Sequence, residues 1–156
     1  NEEKKKFGAK YVSLQDDVRK RVIKGSQTFS SLCSSCHVPK GTGLPNKIAP
    51  PLIGKIKLLN NREASIKILL HGLKGPVDGV TYPDIMLPMK AYDDEWIASV
   101  LNYVRFDLSM QSFPDLPQKY LNSLAITPDE VSALRKQHAR RTEPWTWNEL
   151  LRKKDK

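Results

Sequence analysis

The stretch that begins near Leu14 has apolar residues at the spacing of a helix. Residues three, four and seven positions apart share one face of an α-helix, and the polar residues between them fall on the other face. We predict one helix that runs from about Leu14 into the cysteine pair. Gly25 lies on its apolar face, and a glycine inside a helix costs about 1 kcal/mol relative to alanine, which indicates that another element approaches closely there. The apolar face consists of Val18, Val22, Gly25, Phe29 and Leu32.

Three later segments combine a helix start signal with apolar periodicity. Asn61 and Asp93 are suitable N-caps, and Thr127 begins a Thr-Pro-Asp-Glu sequence in which Glu130 can complete a capping box. The chain also has a short apolar segment near its end. The predicted helices run from Asn61 to Gly72 or Gly75, from Asp93 to Arg105, from Thr127 to His138, and through Leu150 and Leu151.

The helix that begins at Asp93 is the expected partner of the first helix. An aromatic residue such as Tyr103 opposite Gly25 would let the two helix axes cross closely. Two further aromatic residues, Trp145 and Trp147, lie in a break after the third of these helices, and we expect them to pack onto the body of the protein, with contact to a partner as the alternative.

Composition and periodicity divide the chain into three parts. Residues 1–13 are rich in charge and lack periodicity, so we expect a loosely held N-terminal arm. Residues 14–107 contain the predicted domain. Residues 108–156 begin with an irregular stretch at 108–122 and are expected to form a C-terminal helical extension that packs on the domain.

The composition is that of one folded domain with an excess of positive charge. The chain has 156 residues, 39% of them hydrophobic and 28% charged, and its net charge is +9. No apolar run of about 18 residues exists, so we expect no transmembrane segment. The positive charge favours an acidic partner through long-range steering. Nucleic acid is the rival explanation, but the basic residues are spread along the chain without a nucleic-acid motif, and we expect no such binding.

The chain begins at Asn1 with charged residues and without a hydrophobic signal region. This beginning fits either a processed mature protein or a piece of a longer protein. The sequence does not choose between the two.

The sequence Cys33-Ser34-Ser35-Cys36-His37 carries the candidate chemistry. It presents two thiols one helical turn apart and an imidazole directly after the second, so that all three can converge on one planar macrocycle. The sulfurs can form thioether bonds to haem vinyl groups, and the imidazole can coordinate the iron. A redox-active dithiol would need a low-pKa cysteine at a helix start, and structural zinc would need further ligands although the chain has only two cysteines. The spacing is typical of c-type haem attachment.

The loop after His37 offers a partner for its imidazole. The carbonyl of Pro50 could accept the Nδ1 proton of His37, which would fix the tautomer and raise the basicity of the iron ligand. Alternatively, the segment is a surface turn stiffened by its prolines.

A sixth iron ligand can be sought in the turn-rich residues 76–91, which we call the methionine loop. This stretch carries Met86 and Met89, and a soft thioether suits the iron of an electron carrier because it raises the reduction potential. Filling a gap in the core is the alternative role of a methionine. His71 could also be a sixth ligand, although a histidine near a helix end is more often a cap or a packing residue.

These residues together resemble the class I (monohaem) cytochrome c family. Besides the haem motif, the chain has Gly25 and Phe29 eight and four residues before Cys33, and Pro50 and Leu52 in the loop that follows it. The methionine loop and the aromatic helix after it complete the likeness, which covers roughly residues 14–107. The resemblance implies an all-α class I cytochrome c fold in which the N- and C-terminal helices cross over a covalently bound haem c. The implied haem site consists of Cys33, Cys36, His37, Pro50 and Leu52, with a methionine as the distal ligand of the iron.

A narrower resemblance is to the cytochrome domains attached to bacterial quinoprotein sugar or alcohol dehydrogenases. The segments 69–76, 85–89 and 94–105 carry this likeness, and so does the tail from Ile126. Those domains usually read Met-Pro-Pro, and this chain departs from that pattern with Met86-Leu87-Pro88. Alignment of the flanking residues favours Met86 as the distal ligand, and Met89 is the second choice. Haem attachment in this family implies a periplasmic or otherwise exported bacterial protein.

The function expected from the sequence is that of a single-electron carrier, not of an enzyme. Such a carrier would pass electrons between a dehydrogenase and a respiratory acceptor, either alone or as the C-terminal domain of a larger quinoprotein dehydrogenase. A haem sensor or a peroxide-reacting protein with an open sixth iron position is the alternative. A basic interaction module without a cofactor is a third hypothesis.

Overall fold

The computed structural model describes Tyr11 and residues 14–43, 48–53, 60–109 and 123–152. Within these ranges the chain is mostly helical, which confirms the predicted all-α fold class. The elements, in chain order, are α1 (Asp16–Thr28), a π-helical segment (Phe29–Cys33), α2 (Ser34–His37), α3 (Arg62–His71), β1 (Leu73–Lys74), α4 (Asp94–Tyr103), a second π-helical segment (Val104–Leu108), α5 (Pro128–Gln137), β2 (Trp145–Thr146) and α6 (Trp147–Leu151).

The first helical run confirms the helix predicted to lead into the cysteine motif. α1 continues through the first π-helical segment into α2, and the run ends where Val38 adopts a positive φ of 67°. Val18, Val22 and Gly25 are buried along α1, and Phe29 is buried at the start of the π-helical segment. The apolar face of this helical run packs against the core, and the cysteine motif therefore lies at the end of a helix whose position is fixed.

The crossing of α1 and α4 depends on Gly25. A Cβ atom at this position would overlap the carbonyl oxygen of Ser99 and would lie 2.9 Å from the Cβ of Tyr103. Tyr103 also packs against Phe29, with 5.3 Å between the ring centroids. The predicted close approach of the two helices at Gly25 and Tyr103 is confirmed.

Side-chain caps begin three of the helices at the residues that the sequence indicates. The side chains of Asn61, Asp93 and Thr127 accept hydrogen bonds from backbone N–H groups in the first turns of α3, α4 and α5. Glu130 completes the capping box at Thr127. The third start is therefore specified by local sequence alone.

Two short strands connect the C-terminal part of the chain to the centre. β1 and β2 are parallel, with Leu73 opposite Trp145 and Lys74 opposite Thr146. Apolar periodicity does not predict strands of two residues, because their pairing joins segments that are distant in sequence. Trp145 and Trp147 are buried, as expected for residues that pack onto the body of the protein.

The N-terminal part differs from expectation at one residue. Tyr11 is buried, and its hydroxyl donates a hydrogen bond to a carboxylate oxygen of Asp107. Tyr11 is thus held by the core, whereas a loosely held arm was expected. The rest of the arm at 1–10 and 12–13, and the irregular stretch from 110 to 122, lie outside the described residues.

Among the helices in the described part of the chain, none combines the length and the apolar character needed to cross a membrane.

Candidate haem site

The cysteine motif lies at the end of the first helical run. Cys33 closes the π-helical segment, and Cys36 and His37 lie in α2, so one helical turn separates the two thiols. Cys36 is exposed, Cys33 is half-buried and His37 is buried. Burial is the main reason that the pKa of the Cys33 thiol is raised to about 11, and the neighbouring Cys36 adds to the shift.

Pro50 holds the imidazole of His37 as the sequence suggests. The distance between Nδ1 of His37 and the carbonyl oxygen of Pro50 is 3.1 Å. The carbonyl can only accept, so Nδ1 carries the proton and Nε2 remains the nitrogen that can coordinate a metal. Burial lowers the pKa of His37 and outweighs the opposite effect of the bond to Pro50, which favours the neutral imidazole that iron requires.

The loop after α2 is folded back toward the motif by backbone hydrogen bonds. The amide of Gly43 donates to the carbonyl of His37 over 3.1 Å, and the amide of Leu52 donates to the carbonyl of Gly41 over 2.7 Å. Gly41 has a φ of 66°, and a Cβ there would lie 2.9 Å from a methyl carbon of Leu108. The glycine therefore lets the loop close against the core and bring Pro50 to His37.

A cavity adjoins the motif, and its volume is about 880 Å³ when the part open to solvent is included. Its walls are almost entirely apolar and come from the first helical run, residues 50–52, α3, β1, the methionine loop, α4, the second π-helical segment and α6. The lining residues are Phe29, Cys33, His37, Pro50, Pro51, Leu52, Ser65, Ile68, Leu69, Leu73, Val77, Asp78, Met86, Val100, Leu101, Val104, Arg105 and Trp147.

Of the two candidate methionines, Met86 lines this cavity and Met89 packs against the core beside it. Met86 forms two backbone hydrogen bonds with Leu73, one in each direction, at 3.0 and 3.2 Å. The amide of Met89 instead donates to the carbonyl of Leu69 over 2.7 Å. A Cβ at Gly72 would overlap the carbonyl oxygen of Met86, so this glycine permits the close approach of the methionine loop.

His71 lies at the end of α3 and does not belong to the cavity wall. It is buried, and its ring meets Trp145 edge-on with 6.4 Å between centroids. Burial is the largest cause of its lowered pKa, and a hydrogen bond to the backbone of His138 acts in the opposite direction. These contacts agree with the interpretation of His71 as a packing residue.

The structure adds wall residues that sequence analysis did not connect with the motif. Arg105 and Asp78 line the cavity, and Trp147 does so from the C-terminal helix. The indole Nε1 of Trp147 donates to Oδ1 of Asp78 over 3.2 Å. The apolar pattern of the helix from Asp93 leads up to Arg105, but no local signal places Asp78 or Trp147, which are separated by 69 positions.

The residues present fit a covalently attached haem. The thiol of Cys33 and the imidazole of His37 lie in the wall of an apolar cavity, with Cys36 one helical turn from Cys33. The imidazole has its tautomer fixed, and the thioether of Met86 lies in the same wall. Apolar walls suit a porphyrin, whereas a hydrated ion would need polar ligands. Within the described ranges, no cluster of three or more His, Cys, Asp or Glu side chains could hold a metal ion by itself.

Comparison with known proteins identifies a family. Residues 22–106, more than half of the chain, match the family model described as "Cytochrome c". The chain is 32% identical over 117 residues to a cytochrome c-552 of Thermus thermophilus, and the match covers 67% of this chain and 88% of that protein. A second cytochrome c-552, from a named strain of the same species, is also 32% identical over 117 residues, and the match covers 78% of its length.

The matched region, the helical fold and the cysteine motif agree with the class I, monohaem type. Members of this type are electron carriers that hold haem c covalently. The chain belongs to the cytochrome c family, and haem-based electron transfer is its function.

Proposed function

We propose that the protein is a single-electron carrier with one haem c, bound through thioethers to Cys33 and Cys36. In this proposal His37 and Met86 would hold the iron. The observation that carries it is the apolar cavity whose wall contains Cys33, the His37 imidazole and the Met86 side chain together. The bound haem would supply the one-electron chemistry.

The protein's own residues would hold the iron ligands in place, so that the structure of the site would change little when the iron gains or loses an electron. The Pro50 carbonyl holds the His37 ring in one orientation, and the paired backbone of Leu73 and Met86 holds the methionine loop. The apolar walls, Leu52 among them, exclude water from the iron. Both ligands would stay in place in the two oxidation states, so the haem would leave no position for a substrate.

We further propose that the partners are acidic redox proteins, a dehydrogenase as donor and a respiratory acceptor. The net charge of +9 supports this, because opposite charges accelerate encounter and orient the two proteins. The resemblance to cytochrome domains of quinoprotein dehydrogenases supports a quinoprotein as the donor. Such a pathway places the protein in the bacterial periplasm or another exported location.

Replacement of the methionines tests the ligand assignment. We expect Met86→Ala to abolish the far-red absorption typical of methionine bound to ferric iron, because the thioether is lost. Met89→Ala is the matched control and should keep that absorption, since Met89 packs against the core. Survival of the absorption in Met86→Ala would contradict the assignment of Met86.

Two simpler measurements test the wider proposal. Haem that remains with the polypeptide after denaturation and extraction would support covalent attachment, and a colourless polypeptide would contradict it. Slow binding of carbon monoxide to the reduced protein at neutral pH is expected if Met86 occupies the sixth position. Rapid binding would favour the sensor or peroxide-reacting alternative.

A further inference from the structure

Arg135 lies near the end of α5 and binds the chain where the methionine loop ends. Its Nη1 donates a hydrogen bond to the carbonyl of Lys90 over 2.6 Å, and its Nη2 donates to the carbonyl of Tyr92 over 2.7 Å. Its Nε donates to Oδ1 of Asp94, the first residue of α4, over 2.8 Å. All three acceptors therefore lie in the segment 90–94, which connects the methionine loop to α4.

These bonds depend on the shape of the guanidinium as well as on its charge. A guanidinium is planar and directs its N–H groups in a fixed fork, whereas a lysine ammonium is a compact single charge. Two of the three acceptors are backbone carbonyls, so the fork fixes the position of the backbone itself. The side chains of Arg135 and Asp94 are both half-buried, so water competes with their bond less than it would at a fully exposed pair.

The methionine loop is held around Met86 by backbone hydrogen bonds more than by the packing of its neighbours. Ile85 and Leu87, the residues on either side of Met86, are 52% and 68% exposed. Met86 is paired with Leu73, and the amide of Met89 donates to a carbonyl at the end of α3 over 2.7 Å. The bonds from Arg135 begin at the next residue, so they extend this series to the end of the loop.

Tyr92 is held from two sides. Its ring is stacked on that of Trp96, with 3.9 Å between the centroids and 13° between the planes. Trp96 is itself partly buried against the core. Tyr92 is thus bound through its ring to α4 and through its carbonyl to Arg135 of α5.

We propose that Arg135 is a positioning residue for Met86, because it fixes the end of the loop that presents this thioether. The inference rests on the proposed function, since it takes Met86 as a ligand of the iron. Arg135 is not among the described residues of the cavity wall, so it would act through the backbone and not by contact with the haem. Release of the thioether requires the loop to shift, and the bonds from Arg135 to Lys90 and Tyr92 oppose such a shift.

Displacement of the methionine by added imidazole, in the haem-loaded ferric protein, tests this role. At saturating imidazole the rate is limited by release of the thioether, so it reports on movement of the loop. We expect Arg135→Gln to raise this limiting rate about tenfold, because hydrogen bonds from a charged donor are lost. Arg135→Lys should not restore the wild-type rate, because an ammonium cannot reproduce the fork. A wild-type rate in either variant would overturn the inference.

Arg21→Gln is the matched control. Nε of Arg21 donates to Oε1 of Glu95 over 2.9 Å, so this variant also loses one positive charge and one contact with the first turn of α4. In the part of the chain that the structure describes, Arg21 bonds to Asp17 and Glu95 and not to the methionine loop. Its limiting rate should stay within about twofold of wild type. An increase equal to that of Arg135→Gln would overturn the inference, since loss of charge or of a contact with α4 would then explain both.

Thermal unfolding separates positioning from general stability. The temperature at which the far-red absorption of methionine ligation disappears is compared with the temperature at which helical circular dichroism is lost. Arg135→Gln should lower the first temperature more than the second, because the loop is released while the helices remain folded. Equal decreases in the two temperatures would overturn the inference, since they would show that Arg135 only docks α5.

Hydrogen exchange tests the contact with the loop independently of the iron ligand. The amide of Met89 should exchange faster in Arg135→Gln than in Arg21→Gln, and equal exchange would overturn the inference. Failure of the proposed function has a different signature, because the wild-type protein would then lack covalent haem or the far-red absorption of methionine ligation.

Discussion

At the scale of single residues, the site depends on contacts that each fix one atom. The imidazole of His37 is fixed by a carbonyl that lies 13 positions away in the chain, and the position of that carbonyl depends on the turn at Gly41. A metal ligand with a fixed tautomer loses less freedom on coordination. The contact between His37 and Pro50 therefore fixes the ring orientation in which Nε2 can coordinate a metal.

Gly25 is the residue where the packing tolerates no side chain. We expect Gly25→Ala to destabilise the protein by about 2 kcal/mol or more, because the new methyl group would overlap the backbone of Ser99 and force α1 and α4 apart. Urea denaturation of the haem-loaded protein measures this change. Gln27→Ala, at an exposed position of the same helix, should change stability by less than about 0.5 kcal/mol. Equal stability of the two variants would contradict the close crossing.

The motif and its immediate partners could be predicted from the sequence because their signals are local. Cys33, Cys36 and His37 are read from a fixed spacing, and the caps at Asn61 and Thr127 from residue type. The positions of the two methionines cannot be predicted from neighbouring residues, because backbone hydrogen bonds to distant residues of α3 and β1 decide which methionine lines the cavity. The assignment of the cavity-lining methionine as the iron ligand stays a prediction.

At the scale of elements, β2 in the C-terminal extension is connected to the methionine loop by backbone pairing through β1. β2 pairs with β1 at Leu73 and Trp145, and Leu73 in turn pairs with Met86. The amide of Trp145 also donates to the carbonyl of Gly72 over 3.0 Å. Trp147 then covers part of the cavity. The extension is thus part of the wall of the candidate haem site.

We expect Trp147→Ala to make the sixth coordination position of the iron more accessible to an external ligand. Loss of the indole removes a wall of the cavity and the bond to Asp78, so the reduced protein should bind carbon monoxide faster than wild type, by about tenfold or more if the opening equilibrium shifts by about 1.4 kcal/mol. Stopped-flow absorbance measures the rate. Leu151→Ala, at a position that is 37% exposed on the same helix, is the control and should bind at the wild-type rate. An unchanged rate in Trp147→Ala would show that the indole does not guard this position.

A charge pair docks α5 against the start of α3. Burial raises the pKa of Glu130, but hydrogen bonds from Arg62 and Thr127 outweigh it and hold that pKa below its usual value. A carboxyl with a lowered pKa in the folded state stabilises the fold above its unfolded pKa of about 4.3, and this contribution is lost as the pH falls through the folded pKa.

We therefore expect Glu130→Gln to be less stable than wild type at pH 7, with a difference that shrinks as the pH is lowered from about 5 to about 3. Urea midpoints of the two proteins across this range measure the difference. Glu143→Gln is the control, because its ion pair with Lys74 is exposed and should contribute little. If the difference in stability between Glu130→Gln and wild type stays constant down to about pH 3, the stabilising role of the ionised Glu130 carboxylate is contradicted.

At the scale of the whole molecule, the excess of positive charge acts on a partner at longer range than any contact does. The net charge of +9 lies on a small protein, and attraction between exposed charges is screened within about 8 Å at physiological salt. Complementary charges on two proteins affect the rate of their encounter more than the affinity of the final complex, so we expect this charge to act on association and to do so less at high salt.

We expect the rate of electron transfer with an acidic redox partner to fall about tenfold or more when the ionic strength rises from about 10 to about 200 mM, because salt screens the attraction. Stopped-flow oxidation of the reduced protein measures this rate. Oxidation by a small neutral oxidant is the control and should change little with salt. A rate that is independent of salt would contradict an acidic partner surface.

The sequence by itself determined the helical fold, the helix that carries the cysteine motif and the position of Gly25 on the apolar face of that helix, because periodicity, caps and fixed spacing are properties of neighbouring residues. Only the tertiary structure decided which groups join the cavity wall. Met86, Arg105 and Trp147 come from three separate parts of the chain, and their meeting depends on loop closure and on pairing between β1 and β2. Contacts between distant segments do not produce a periodic pattern in the sequence, since the residues of one segment do not specify where another segment packs.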